Sequence, residues 1–177
     1  MAVFEMMDPT LQPAASASGL APRPADLRGK RLVLMDNGKP NADRLLQEIY
    51  DILEPELQPS SVSWKKVPTT FPASEALLDE IAAECDLVIE AVGSCGSCSA
   101  ASVADVILME RRGIPSAAIC TDALKASADA MARIQGMPGY RYAVIPHPMS
   151  SADPETVARH AKLAAPQVLS ILKAATT

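Results

Sequence analysis

Beyond residue 29 the chain alternates short apolar runs with segments whose apolar residues recur at helical spacing. RLVLMD (31–36) is a compact apolar run closed by Asn37-Gly38, the pattern of a buried strand. Asn41 is placed to cap the segment ADRLLQEIYDILEPEL, where Leu45, Leu46, Ile49, Ile52 and Leu53 share one helix face. SVSWKKVP (61–68) alternates weakly and predicts a second strand, and Ser74 opens a second helix, EALLDEIAAE. DLVIEAV (86–92) predicts a third strand closed by Gly93. A third helix is expected over 99–112, with Gly113 as its stop. IPSAAIC (114–120) predicts a fourth strand, Thr121 or Asp122 caps a fourth helix ending near Gly136, and YRYAVIP (140–146) predicts a fifth strand. Asp153-Pro154-Glu155 opens a last helix, which Pro166 is expected to kink or split.

Five strands alternating with helices predict a single α/β domain over residues 29–177, with a parallel, doubly wound, flavodoxin-like sheet. In such folds ligands bind beyond the carboxyl ends of the strands, at the switch in strand order. Those ends fall at 36–41, 68–70, 93–98, 120–122 and 147–148, and the chemically distinctive residues collect there.

Residues 1–28 break the pattern. Pro9, Pro13, Pro22 and Pro24 stand among Ala and Ser, which predicts an N-terminal arm that wraps or dangles rather than packing a core. Elsewhere, a hydrophobic content of 49% allows an ordinary interior. The charge balance is 16 Lys and Arg against 21 Asp and Glu, a net −5, and aromatics are only 3%. Neither a phosphate-backbone binder nor a stacking platform for single strands has this composition, so no nucleic-acid partner is expected. No apolar run approaches the ~20 residues of a membrane span. Residues 1–20 contain Glu5 and Asp8 but no Lys or Arg, unlike a signal peptide. These features lead us to expect a cytoplasmic protein with no membrane partner. Four cysteines in a reducing compartment point to catalysis, redox chemistry or metal binding rather than a disulfide frame.

GSCGSCS (93–99) carries the strongest chemical signal. Cys95 and Cys98 form a C-x-x-C pair between a strand and a helix, close enough in sequence to join in a small disulfide ring. The positive end of a helix favours a thiolate, and hence a nucleophile. Two inert buried thiols in a tight turn are the bland alternative. Cys120 ends the adjacent predicted strand and is read as a resolving thiol, a ligand or a pocket wall, with a satisfied core cysteine an equal alternative; Cys85, at the opposite end, is read as structural. His147, held between Pro146 and Pro148, has an intrinsic pKa suited to proton transfer. His160 is expected on the surface. Asp36, Asn37, Lys39 and Asn41 are candidate substrate contacts, as are Ser94, Ser97, Ser99 and Thr121, although a turn and helix cap account for much of the first group. Glu90 would be buried in a central strand and need a partner or a raised pKa, pointing either toward the thiols or away from them. Glu110-Arg111-Arg112 and Lys65-Lys66 are expected to be solvated charge.

The Cys95-Gly96-Ser97-Cys98 tetrad resembles the UGSC family, named for a selenocysteine-Gly-Ser-Cys motif in which cysteine replaces selenocysteine in many members. The likeness extends over residues 20–173: LAPRPADLRGK (20–30), DNGKPNAD (36–43), ERRGIP (110–115), the Cys120-Thr121-Asp122 triplet and the Pro146-His147-Pro148 element all take part. It implies that Cys95 holds the selenocysteine position with Cys98 as its partner. A more distant likeness is to the substrate-specific subunits of glycine, sarcosine and betaine reductases. There a selenolate or thiolate attacks the substrate and cleaves a carbon–heteroatom bond reductively. This chain is much shorter and carries cysteine.

Four readings follow. In the first, a thiol-dependent oxidoreductase or lyase acts on a small polar metabolite through Cys95 and Cys98, with His147 moving a proton, no bound cofactor, and an external thiol reductant where turnover is reductive. In the second, Cys95, Cys98, Cys120 and His147 hold zinc. In the third, Cys95 and Cys120 face each other across a substrate carbon as an acid–base isomerase or decarboxylase. In the fourth, the chain is an accessory subunit of a larger complex. A homo-oligomer or hetero-complex is expected.

Overall fold

The computed structural model describes residues 19–173. Five strands, β1 (Arg31–Asp36), β2 (Ser61–Lys66), β3 (Leu87–Gly93), β4 (Ser116–Thr121) and β5 (Ala143–Ile145), form one all-parallel sheet in the order β2-β1-β3-β4-β5. The helices are α1 (Ala42–Leu57), α2 (Glu75–Glu84), α3 (Gly96–Arg111), α4 (Lys125–Ile134) and α5 (Pro154–Lys173). The doubly wound α/β expectation therefore holds, and the strand order reverses between β1 and β3.

Period-2 alternation sends successive strand residues to opposite faces. Leu32, Leu34, Ile89, Ala117 and Ile119 pack under α1 and α5 with Leu45, Ile49, Val157, Ala161 and Val168. Val33, Met35 and Val88 face α2, and Ala118 and Cys120 face α3 and α4. The central α3 is covered on nearly every side: Val103, Ala104, Val106, Ile107 and Met109 are all buried.

Several local expectations change. The third helix starts at Gly96 rather than Ser99, so Gly96, Ser97 and Cys98 form its first turn. The fourth opens with a 3₁₀ turn over Asp122–Leu124 before α4. Pro166 does not split α5, which runs unbroken for 20 residues. Proline removes one backbone donor, whereas both halves of α5 bury apolar side chains on the same core, Val157 and Ala161 before Pro166 and Val168 and Leu172 after it. Gln167 of α5 also closes the free edge of β5: its amide accepts from Val144 N at 3.0 Å and donates to Val144 O at 2.9 Å.

Within the expected arm, residues 1–18 lie outside the described residues, and residues 19–28 pack on the domain. Ala21 and Leu27 are buried. Arg23 forms a two-pronged ion pair with Glu110, its nitrogens 2.6 and 2.8 Å from the carboxylate oxygens. Glu110, expected in solvent, is 2% exposed and also accepts from Ala21 N and Ser116 N at 2.7 and 3.0 Å. Six residues on from Glu110 the chain re-enters the sheet at Ser116, so this carboxylate sits where α3, β4 and the arm converge. His160 is likewise buried, 6% exposed, because it lies on the inner face of α5. Lys65 and Lys66 are engaged rather than merely solvated: Lys65 pairs with Glu80 and Glu84, and Lys66 with Asp36.

Among the described residues, no helix is long and apolar enough to cross a membrane.

Candidate functional site

β3 ends at Gly93, and α3 begins three residues later. Cys95 is the N-cap of α3 in extended conformation, and its sulfur accepts the Cys98 backbone N–H at 3.2 Å. A sulfur thus takes the role that a Ser or Asp oxygen plays at most helix starts. Cys95 and Cys98 are joined as a disulfide, with their α-carbons 5.2 Å apart. The two sulfurs differ in setting: Cys95 is half-buried at the rim, whereas Cys98 is fully buried. Ser97 is exposed and its hydroxyl lies 3.4 Å from the Cys95 sulfur.

Gly93 is required by packing rather than by backbone angle. A β-carbon at this position would lie 2.6 Å from Cys120 Sγ and 2.7 Å from Ser99 Oγ. Ser99, expected to touch substrate, and Cys120, left open between a chemical role and a place in the core, are both fully buried behind the motif. Ser99 donates to the Cys95 carbonyl at 2.9 Å, tying the second turn of α3 to its cap. Burial pushes the Cys120 thiol up to about 12. Cys85 is pushed up to about 12 by burial as well, in keeping with its structural reading.

From the neighbouring strand ends, Thr121 and His147 complete this edge. Thr121 Oγ1 donates to the Gly93 carbonyl at 3.2 Å and lies 3.1 Å from His147 Nδ1. A hydroxyl has one proton. With it directed at Gly93, Oγ1 accepts from His147 Nδ1–H, the arrangement that in a neutral imidazole leaves Nε2 as the acceptor nitrogen. The His147 backbone N–H is held by Asp122 Oδ1 at 3.0 Å, and the His147–Pro148 bond is cis. His147 itself is exposed. Ser94 and Ser150 close the rim with a 3.0 Å hydrogen bond between their hydroxyls.

The β1–α1 loop has a scaffold role at several positions. Asn37 is buried; its amide donates to the Val92 carbonyl at 3.0 Å and the Ser102 hydroxyl at 3.3 Å, bridging β3 and α3. Asp36 is buried against Lys66 and accepts from Gly38 N at 2.7 Å. Asn41 stands at the α1 N-cap but its side chain does not cap. In left-handed conformation (φ 68°), it donates instead to Met149 O at 3.1 Å and Ala152 O at 3.0 Å, holding the loop that carries His147. Lys39 is half-buried, with its backbone N–H on Asn37 Oδ1 at 3.3 Å.

Cys95, Cys98, Thr121, His147, Ser94 and Ser97 therefore gather around the carboxyl ends of β3, β4 and β5. Asn37, Ser99 and Cys120 support them from inside. In the disulfide form the pair offers no thiolate to a metal, and no group of three or more His, Cys, Asp or Glu side chains is arranged to hold one among the described residues. Sequence reasoning missed Ser150, and it missed Ser102 and Asp105, which follow Cys98 by four and seven residues and share its buried face of α3. That helical spacing was the available signal.

Fold and site together define an α/β protein with a disulfide-linked cysteine pair at the start of a central helix. Its sequence matches the model of the UGSC family over residues 5–174, and the chain belongs to that family. No curated protein matches it.

Proposed function

We propose that this UGSC-family protein is a thiol-dependent enzyme that cleaves a carbon–heteroatom bond of a small polar metabolite, with Cys95 as nucleophile and Cys98 as resolving thiol. The observation that carries this reading is the asymmetry of the pair: Cys95 is the half-buried N-cap of α3, and Cys98 lies buried one turn in. Backbone N–H groups and the helix dipole favour the thiolate at the cap position, where a substrate has access. The buried partner meets only the first sulfur.

The chemistry balances as two steps. The Cys95 thiolate attacks the substrate carbon and expels the heteroatom group, leaving a thioether adduct. The Cys98 thiolate then attacks the Cys95 sulfur, the carbon leaves with the electron pair and takes a proton, and the disulfide forms. The substrate is reduced by two electrons and the dithiol oxidised by two; an external thiol reductant restores the pair. His147, as an Nδ1–H imidazole, takes the Cys95 proton on Nε2 and returns it to the departing carbon.

Trapping tests the reading. In a Cys98→Ser protein the adduct cannot be resolved, so incubating the reduced variant with fractionated small metabolites should add a discrete mass to the peptide carrying Cys95. Cys95→Ser should abolish the adduct. If no fraction modifies Cys95 in the reduced Cys98→Ser protein, or if metabolite turnover survives Cys95→Ser, the reading fails.

A further inference from the structure

Beneath the cysteine pair lies an acidic pair that the steps above do not use. Glu90 is in the middle of β3, fully buried, and strand parity turns it toward α3. Asp105 is fully buried on the facing side of α3. Asp105 Oδ1 accepts from Ala73 N at 2.8 Å, but its Oδ2 has no hydrogen-bond partner. Neither oxygen of Glu90 makes a hydrogen bond of good geometry, although the Ser102 hydroxyl is near enough to favour its charged form. Two bare carboxyl groups inside an apolar layer are costly, and such groups concentrate where protons move.

The layout connects this pair to the disulfide. Cys98, Ser102 and Asp105 stand at i, i+4 and i+7 on one face of α3, all fully buried. Four residues of helix, a rise of ~6 Å, separate Cys98 from Ser102. The Ser102 hydroxyl already receives the Asn37 amide at 3.3 Å, so its own proton is free to point at Glu90 or exchange with Cys98.

When the disulfide opens, Cys98 becomes a thiolate without access to bulk water, and when it closes again Cys98 must first lose a proton. The groups facing Glu90 narrow the choice of partner. Met35 on β1 and Ala118 on β4 flank it and are apolar. The Cys120 thiol and the Tyr140 hydroxyl are both held protonated by burial. Only the acidic pair remains. Burial and the charge of Asp105 raise Glu90 well above the usual carboxylate range, which favours its protonated form. Burial pushes Asp105 up to about 7.

Resting on the thiol reading above, we infer that Glu90 exchanges a proton with Cys98 through Ser102, giving it when the disulfide opens and taking it back when Cys98 attacks Cys95, while Asp105 tunes the exchange. Glu90 touches no substrate and acts through Cys98. In the closing direction the Cys98 S–H bond breaks and the proton reaches the Glu90 carboxylate. The new S–S bond forms to Cys95, and the group on Cys95 leaves with the electron pair.

The test needs no natural substrate. Reduced protein is treated with one equivalent of the chromophoric disulfide dithiobis(nitrobenzoate). The first nitrobenzenethiolate reports attack by Cys95; the second reports closure by Cys98. In the wild type the closure rate should rise with pH and level off once the acidic pair has lost its shared proton. Glu90→Gln should lose the plateau and close about a hundredfold more slowly at neutral pH, with the first release unchanged. Asp105→Asn removes a like charge and should move the midpoint to lower pH. A simply structural role would alter neither the plateau nor its midpoint. If Glu90→Gln is not folded by circular dichroism, Ser102→Ala, slowing closure without moving the midpoint, and Asp105→Asn carry the test. A wild-type plateau retained in Glu90→Gln, or an unmoved midpoint in Asp105→Asn, overturns the inference alone. Absence of any second release from wild type removes Cys98 as resolving thiol and overturns both.

Discussion

The Cys120 sulfur occupies the space that a side chain at Gly93 would need, 2.6 Å from where its β-carbon would lie. The Ser99 α-carbon would be 2.9 Å away on another side. Gly93→Ala should therefore destabilise the fold by about 1–3 kcal/mol through overpacking, read by urea denaturation. Adding Cys120→Ala should recover only part of this, because the Ser99 backbone cannot retreat like a side-chain tip. A Gly93→Ala protein as stable as wild type would show that β3 shifts freely at its end.

The four cysteines should separate by reactivity. After reduction, iodoacetamide at mildly alkaline pH should modify Cys95 first. Cys85 and Cys120, whose thiols burial pushes up to about 12, should stay unmodified in the folded protein. Peptide mass mapping over time reads the order directly. Labelling of Cys120 as fast as Cys95 would contradict the packing behind Gly93.

The hydrogen bonds around Thr121 dictate a tautomer. Neutral His147 should carry its proton on Nδ1, visible in the nitrogen chemical shifts of the ring. Thr121→Val removes the acceptor and should shift the population toward Nε2–H. A wild-type ring already protonated on Nε2 would reverse the proposed direction of proton transfer.

Removing Arg23 strands Glu110, whose side chain has no exposure. Arg23→Ala should cost about 3 kcal/mol or more, since an unpaired charge is left inside. Adding Glu110→Gln should restore part of the loss. The denaturation midpoints of the single and double variants give the coupling.

The buried acids should also write a pH signature on stability. A carboxyl raised in the folded state binds its proton more tightly there than when unfolded. Stability is then greatest below the unfolded value near 4 and declines as pH climbs toward the folded value, about 7 for Asp105, flattening above it. Asp105→Asn should flatten the decline, so that its melting temperature relative to wild type improves between pH 5 and pH 8. A wild-type melting temperature that rises across that interval would contradict the raised Asp105.

Much of the site was legible because its signals are local. The alternation of Leu32 and Leu34 with Val33 and Met35, the helical spacing of Leu45, Leu46 and Ile49, and the placement of C-x-x-C after DLVIEAV each depend on neighbouring residues. They suffice for parallel strands, covering helices and a cysteine pair at the carboxyl edge of the sheet. The start of α3 was misjudged by three residues because Gly, Ser and Cys are weak helix formers, and the helix is secured there by the Cys95 cap and by Ser99 bonding back to it.

Charge burial was not legible. Glu110 and Arg23 meet across 87 positions of chain, and nothing in ERRGIP distinguishes a solvated glutamate from one enclosed by an arm. His160 looks exposed between Arg159 and Ala161 until α5 is laid on the sheet. Glu90 was ambiguous along β3, because either face of a central strand is inside; only α3, bringing Ser102 and Asp105, decided what it meets. By itself the sequence determined which segments become strands and helices and where the cysteine pair falls, since hydrophobic periodicity and turn chemistry act over a few residues. Tertiary structure alone decided which polar groups lost their water and what replaced it, because that depends on partners brought together from distant parts of the chain.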